Sequence, residues 1–196
     1  MLEAGLEERV TVLRQDYRDL RGAFDKLVSI EMIEAVGHEH YDGFFAQCSA
    51  LVKPDGRAVI QAITIREELY DSARCEVDFI KRHIFPGCCI PSREVLAKTA
   101  RRNNLHILQA DEIGLHYAET LHRWRDNLRA KADRVQALGF DQRFQRMWDF
   151  YFCYCEGGFL EGAIGTAQIV FAAAGASLTA PLIVSPVPPS PRPVAA

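Results

Sequence analysis

Residues 24–65 read FDKLVSIEMIEAVGHEHYDGFFAQCSALVKPDGRAVIQAITI, and the reading of this stretch decides the fold. Phe24–Ile30 is short and rich in aromatic and β-branched residues, which predicts a strand. Glu39–Leu51 places apolar side chains at Tyr41, Phe44, Phe45, Cys48 and Leu51, the three-to-four spacing of one helix face. Lys53-Pro54-Asp55-Gly56 reads as a turn, and Arg57–Ile65 (RAVIQAITI) as a further strand, apolar enough to be central. A strand–helix–strand unit with continuous apolar strands predicts a largely parallel α/β sheet covered on both faces. Directly after the first strand stand two glutamates, Glu31 and Glu34. Carboxylates in that position are costly unless they are paired or used. On local sequence alone the pair reads either as site carboxylates or as a solvated start near a positive helix end.

Outward from this unit the pattern continues. Upstream, Arg9–Leu13 (RVTVL) predicts a strand that ends in the polar loop Gln15-Asp16-Tyr17-Arg18-Asp19. Downstream, Asp71–Ile84 predicts a helix stopped by Phe85-Pro86-Gly87, and Ser92 caps a helix reaching Arg101. Leu105–Ala110 predicts a strand, Tyr117–Leu138 a long amphipathic helix closed by Gly139, and Asp141–Glu156 an aromatic-rich helix. Thr166–Ala173 predicts the last strand. Residues 1–175 are thus expected to form one domain. The remainder, 176–196, carries six of the nine prolines and is expected to be a disordered tail.

Open α/β sheets that bind a nucleotide-like cofactor ordinarily begin with a strand and a Gly-rich turn. No such Gly-x-Gly-x-Gly turn occurs in this sequence. The expectation is a partial doubly wound sheet lacking its N-terminal strands, or one that a partner completes.

Composition narrows the function class. With 196 residues, 48% hydrophobic and 25% charged, the chain suits one core rather than two. A net charge of −3 offers no global basic field for nucleic acid. No apolar run reaches membrane-spanning length, and MLEAGLEERV lacks the pattern of a secretory signal. The six cysteines therefore read as reduced thiols of a cytoplasmic protein. Neither Cys88-Cys89 nor Cys153-x-Cys155 has zinc-site spacing, and the six histidines form no H-x-x-x-H pair beside an acid, so no metal is expected. A Gly-x-Ser-x-Gly elbow is also absent. Basic residues gather at Lys81, Arg82 and His83 and along Arg123, Arg125, Arg129, Lys131 and Arg134. They read either as solvated helix faces or as a surface for anionic headgroups.

Five blocks carry a family resemblance: VSIEMIEAVGHEHYDGFF, LVKPDGRAVIQAITI, FIKRHIFPGCCIPS, EIGLHYAETLHRWRDN and FQRMWDFYFCYCEGGF. In order and spacing they resemble the cyclopropane-fatty-acyl-phospholipid synthases, relatives of the mycolic acid cyclopropane synthases, over roughly residues 5–173 and as the C-terminal portion of such an enzyme. The resemblance implies a methyltransferase-like α/β fold with helical lipid-site insertions and S-adenosyl-L-methionine as cofactor. It implies methyl transfer to a cis double bond of a phospholipid acyl chain, then proton removal by a bound bicarbonate. Catalytic positions then fall on Glu34 in MIEAVG, Tyr117 in GLHYAETL and Gln61 in VIQAI, and the bicarbonate site on Glu34, Gln61, Ile63 and Tyr117. The family's histidine is replaced here by Gln61, which donates a hydrogen bond but cannot titrate. Its cysteine position lies before Met1. Gln15, Asp16 and Tyr17 match the adenosine-side loop, while Glu31 has at most a loop-supporting role. Expected partners are phospholipid acyl chains at the inner face of the membrane and an upstream polypeptide or a second copy. The competing expectation is a non-catalytic remnant or lipid-surface binding module.

Overall fold

In the computed structural model, which describes residues 5, 6 and 8–173, the opening unit folds as strand, helix, strand. β1 is Phe24–Ile30, α1 is Tyr41–Leu51 and β2 is Val52–Ile65, with β1 and β2 parallel. Lys53–Gly56 is absorbed into β2 as an irregularity: Phe24 pairs with Val52, but Lys26 pairs with Arg57. Two 3-10 turns, Ile33–Ala35 and His38–His40, join β1 to α1.

Helices then form where their caps allow. The helix expected over 71–84 divides into α2, Glu67–Cys75, and α3, Phe79–His83. The break comes from Glu76, which is extended, and from Asp78, whose carboxylate accepts from the Lys81 N–H at 2.9 Å and starts a new helix. α4, Arg93–Arg102, begins at Ser92, whose hydroxyl accepts from the Val95 N–H at 3.2 Å. β3 is Leu105–Glu112. The long helix expected over 117–138 is α5, Gly114–Ala130, and α6, Ala132–Ala137, separated at non-helical Lys131. α7, Gln142–Leu160, is capped by Asp141 on the Phe144 N–H at 2.8 Å, and β4 is Ile164–Ala173.

Among the described residues the sheet order is β1-β2-β4-β3, and only the β1–β2 pair is parallel. β4 runs antiparallel to both of its neighbours, so the expectation of a largely parallel sheet is corrected to a mixed one. The helices explain the reversal. α5 starts where β3 ends and α7 returns to the same place, where the Ile113 N–H donates to the Thr166 carbonyl at 2.8 Å. A strand entered from that end has to run against β3. Arg9–Leu13 makes no strand: Val12 and Leu13 are 71% and 61% exposed, and the segment joins no ladder among the described residues. The tail expected over 176–196 lies outside the described residues.

The two faces of the sheet differ. On one face Ala58, Ile60 and Ala62 of β2 and Ala167, Ile169 and Phe171 of β4 pack against Phe44, Phe45 and Cys48 of α1 and Leu96 of α4. Edge-to-face rings run from Tyr17 through Phe44 and Phe45 to Phe171, with centroids 5.5–5.9 Å apart. The alternate positions of β2, namely Val59, Gln61 and Ile63, are only half-buried. On that side a smaller cluster of Ala118, Leu121, Phe152 and Phe159 reaches Ile63 from α5 and α7. Double coverage is therefore complete on one face and partial on the other, and the partly covered face carries the polar groups.

Candidate functional site

Gln61 and Gln168 interrupt the apolar runs within β2 and β4 at paired positions. Side chains directly opposite on adjacent strands share a face. Gln168 Nε2 accordingly donates to Gln61 Oε1 at 2.8 Å, which turns the Gln61 amide nitrogen away from β4. That nitrogen donates to Glu31 Oε1 at 2.8 Å and lies 3.4 Å from the Tyr117 hydroxyl. The Tyr117 hydroxyl donates to the same Glu31 oxygen. Glu31 itself follows the last residue of β1, its N–H donating to the Gln61 carbonyl at 2.9 Å. Its backbone has φ 51°, a left-handed conformation that a non-glycine residue adopts at a cost.

Tyr117 reaches this point because α5 approaches the sheet closely. A Cβ on Gly114 would stand 3.3 Å from the Gly165 Cα and 3.4 Å from the Thr166 nitrogen, so only glycine lets the helix start there without displacement. One turn on, the Tyr117 ring leans on Phe159, centroids 5.4 Å apart.

Glu34 sits in the 3-10 turn after β1, 9% exposed. Its Oε1 accepts from the Ile63 N–H at 2.6 Å, while Oε2 is buried without a partner. Burial pushes its carboxyl up to about 7; hydrogen bonds from backbone N–H groups oppose this, and the nearby Glu31 charge adds to it. The turn is anchored from behind: the Cys89 N–H donates to the Glu34 carbonyl at 2.8 Å, and the Tyr41 hydroxyl donates to the Cys89 carbonyl at 2.6 Å.

Beside this polar cluster the half-covered face continues as an aromatic wall. Tyr151 meets Phe85 at 6.1 Å, Trp148 at 5.3 Å and Phe152 at 5.5 Å between centroids. Burial pushes the Tyr151 hydroxyl above its ordinary range, and the neighbouring Cys155 thiol adds to the shift. Several of the basic side chains are spent inside the molecule. Arg129 pairs with Asp149 at 2.6 Å, Arg125 with Glu156 at 3.3 Å and Arg123 with Glu119 at 2.7 Å, while Lys81 donates to the Ala73 and Glu76 carbonyls.

Gln15, Asp16 and Tyr17 lie together before β1, apart from the Glu31 cluster in the hydrogen-bond pattern. Asp16 accepts from the Arg18 guanidinium at 2.7 and 3.0 Å and from its N–H, bonds that hold its carboxyl down at about 2. Gln15 Nε2 donates to the Asp19 carbonyl at 2.8 Å, and Tyr17 packs on Phe44. The loop thus offers an exposed anionic acceptor and the edge of an aromatic ring, a set that fits the amine- and hydroxyl-bearing side of an adenosine. The implied bicarbonate site fares differently. Its three donors, the Gln61 amide, the Tyr117 hydroxyl and the Ile63 N–H, all serve carboxylates of the chain, and the spare buried atom, Glu34 Oε2, is an acceptor. These residues do not present an anion cradle. Among the described residues no group of His, Cys, Asp or Glu could hold a metal ion, and no helix is long and apolar enough to cross a membrane.

Sequence reading placed Glu34, Gln61, Ile63 and Tyr117 in one site, and the fold brings these four together with Glu31 and Gln168 added. A polar residue at the middle of each apolar strand was the signal for Gln168. Its place directly after the first strand singled out Glu31, but its role did not follow from that place, because it depends on a backbone angle.

The chain resembles known proteins over most of its length. The family model for mycolic acid cyclopropane synthetase matches residues 1–169. The tuberculostearic acid methyltransferase of Mycobacterium tuberculosis is 40% identical over 166 residues, 84% of this chain and 39% of that protein. The cyclopropane-fatty-acyl-phospholipid synthase of Escherichia coli is 34% identical over 165 residues, 83% of this chain and 41% of that protein. A crystal structure of a mycolic acid cyclopropane synthase complexed with SAH and CTAB superposes with a TM-score of 0.74 at 27% identity, over 81% of this chain and 59% of that one. The chain spans about two fifths of the length of the curated relatives it matches. By its matched residues and its α/β fold, the chain belongs to the mycolic acid cyclopropane synthetase family of S-adenosylmethionine-dependent methyltransferases that act on lipid acyl chains.

Proposed function

We infer that this chain takes part in S-adenosylmethionine-dependent methyl transfer to the cis double bond of a membrane phospholipid acyl chain, giving a cyclopropane or methyl-branched product. The observation that carries the reading is the convergence of Glu31, Gln61 and Tyr117 beyond the carboxyl end of β1, with Tyr117 packed against the same cluster as Trp148 and Tyr151 of the aromatic wall. In open α/β sheets ligands bind beyond the carboxyl ends of parallel strands. An apolar wall ending in a polar cluster suits an acyl chain with one reacting bond.

Gln15, Asp16 and Tyr17 would hold the adenosine side of the cofactor, which when bound supplies an electrophilic methyl group. Tyr117 and Gln61 orient the carboxylate beside the reacting bond, Glu34 fixes the backbone at Ile63, and the rings of Trp148 and Tyr151 exclude water. Bicarbonate, which the family resemblance implies, has no free donor set here, and no step is assigned to it. The site of action is the inner face of the membrane, met peripherally.

A second reading has its own support. Among the described residues β1 is an edge strand, and its Phe24, Val28 and Ile30 are 48%, 64% and 63% exposed. Such an edge suits a partner polypeptide and favours a chain that binds lipid without turnover when alone. Calorimetric titration with S-adenosylmethionine, followed by mass spectrometry of vesicles of cis-unsaturated phospholipid, separates the two. The expected outcome is cofactor binding and a lipid heavier by one CH2. Lipid binding with neither supports the second reading.

A further inference from the structure

Adding a methyl group to an alkene leaves one carbon positive, and the product becomes neutral only when a base beside it takes a proton. The structure supplies such a base from within the chain. Glu31 Oε1 accepts both the Tyr117 hydroxyl and the Gln61 amide, and Gln168 in turn fixes which way that amide faces. The carboxylate stands at the end of β1, half-buried, in a left-handed backbone conformation that the Gln61 carbonyl secures. An outlier of this kind, retained in a well-packed loop, points to a function. Tyr117, which donates to Glu31, packs against the same cluster as Trp148 and Tyr151 of the aromatic wall.

We propose that the Glu31 side-chain carboxylate, held by Tyr117 and Gln61, is the base that removes the proton, in the place that the family resemblance gives to bicarbonate. The proposal rests on the methyl-transfer reading above. The alkene π pair forms the new carbon–carbon bond while the sulfur–methyl bond breaks, its electron pair remaining on sulfur as a neutral thioether. A Glu31 oxygen then takes a proton from the transferred methyl group, and the released C–H pair closes the ring onto the positive carbon. Removal of a proton that leaves an alkene instead has the same balance. Glu31 ends as the neutral acid and, being half-exposed, returns the proton to solvent.

Glu34 does not compete for this role. One of its oxygens is committed to the Ile63 N–H and the other is enclosed. It is a positioning residue that fixes the loop carrying Glu31.

The test uses the whole chain with tyrosine rings labelled at 13Cζ, the Tyr117 signal being assigned by its loss in Tyr117→Phe. In the wild type, sodium bicarbonate added through the millimolar range should leave that signal where sodium chloride leaves it. In Glu31→Gly, whose backbone suits φ 51°, the donors are released and the signal should move and saturate. A saturating shift in the wild type, equal to that of Glu31→Gly, overturns the proposal. With S-adenosylmethionine and cis-unsaturated phospholipid vesicles, wild-type turnover should be the same in carbon dioxide-free buffer and in bicarbonate. Glu31→Gly and Glu31→Gln should each be slower by about a hundredfold or more, with bicarbonate rescuing only the glycine variant. Wild-type turnover that needs bicarbonate also overturns it. Absence of turnover in every buffer refutes the methyl-transfer reading for this chain alone, while the ring signal still decides who occupies the anion position.

Discussion

Glu34 and Glu31 are three residues apart and chemically identical, yet the fold gives them opposite environments. Glu34 is enclosed, and burial raises its carboxyl from 4.5 to about 7. A carboxyl raised on folding binds more protons in the native state between those two values, so stability falls as pH rises through that window and levels off above 7. The loss is on the order of 3 kcal/mol. Glu34→Gln keeps the acceptor for the Ile63 N–H and removes the charge. Its melting temperature should match the wild type below pH 4.5 and exceed it above pH 7, measured by circular dichroism across that range. A difference independent of pH would show that the carboxyl is not shifted. At this scale the sequence was half legible. Both glutamates stood out, because acids directly after an apolar strand need a reason. The role of Glu31 did not, because it comes from φ 51° and from a tyrosine 86 positions away.

Elements were legible where their signals are local. Ser92 and Asp141 announce α4 and α7 by side chains that cap the first turn, and the alternation along β2 survives in which residues are buried. The divided helices were harder to see, since an apolar face can continue while the backbone breaks, as it does at Glu76 and Lys131. Arg9–Leu13 shows the converse: β propensity alone makes no strand without a neighbour to pair with. The docking of α5 is set by a glycine that sequence reading passed over. Gly114→Val would push two methyl groups toward Gly165 and Phe159, lowering stability by about 1–3 kcal/mol. Because α5 carries Tyr117, the same variant should shift the labelled Tyr117 ring signal toward its position in Glu31→Gly. An unchanged signal would mean that Tyr117 is held by something other than the helix start.

At the scale of the molecule, the fold class was readable and the direction of the strands was not. Helix–strand alternation gives α/β, but the returning pair α5 and α7 reverses β4, and no residue type marks that reversal. The other global feature is the edge at β1, where Phe24, Val28 and Ile30 form an apolar face. Exposed edges of this kind promote pairing between chains. Light scattering should show concentration-dependent self-association of the wild type, and Val28→Lys, at a 64% exposed position, should reduce it without lowering the melting temperature. Equal scattering by both would place the association elsewhere. The position of β4 has one more consequence. Among the described residues it is the last strand in chain order, and yet it lies between β2 and β3, where Gln168 meets a partner 107 residues earlier in the chain. During synthesis β2 and β3 therefore wait, unjoined, until β4 arrives between them, and holdase chaperones would find their targets in that interval.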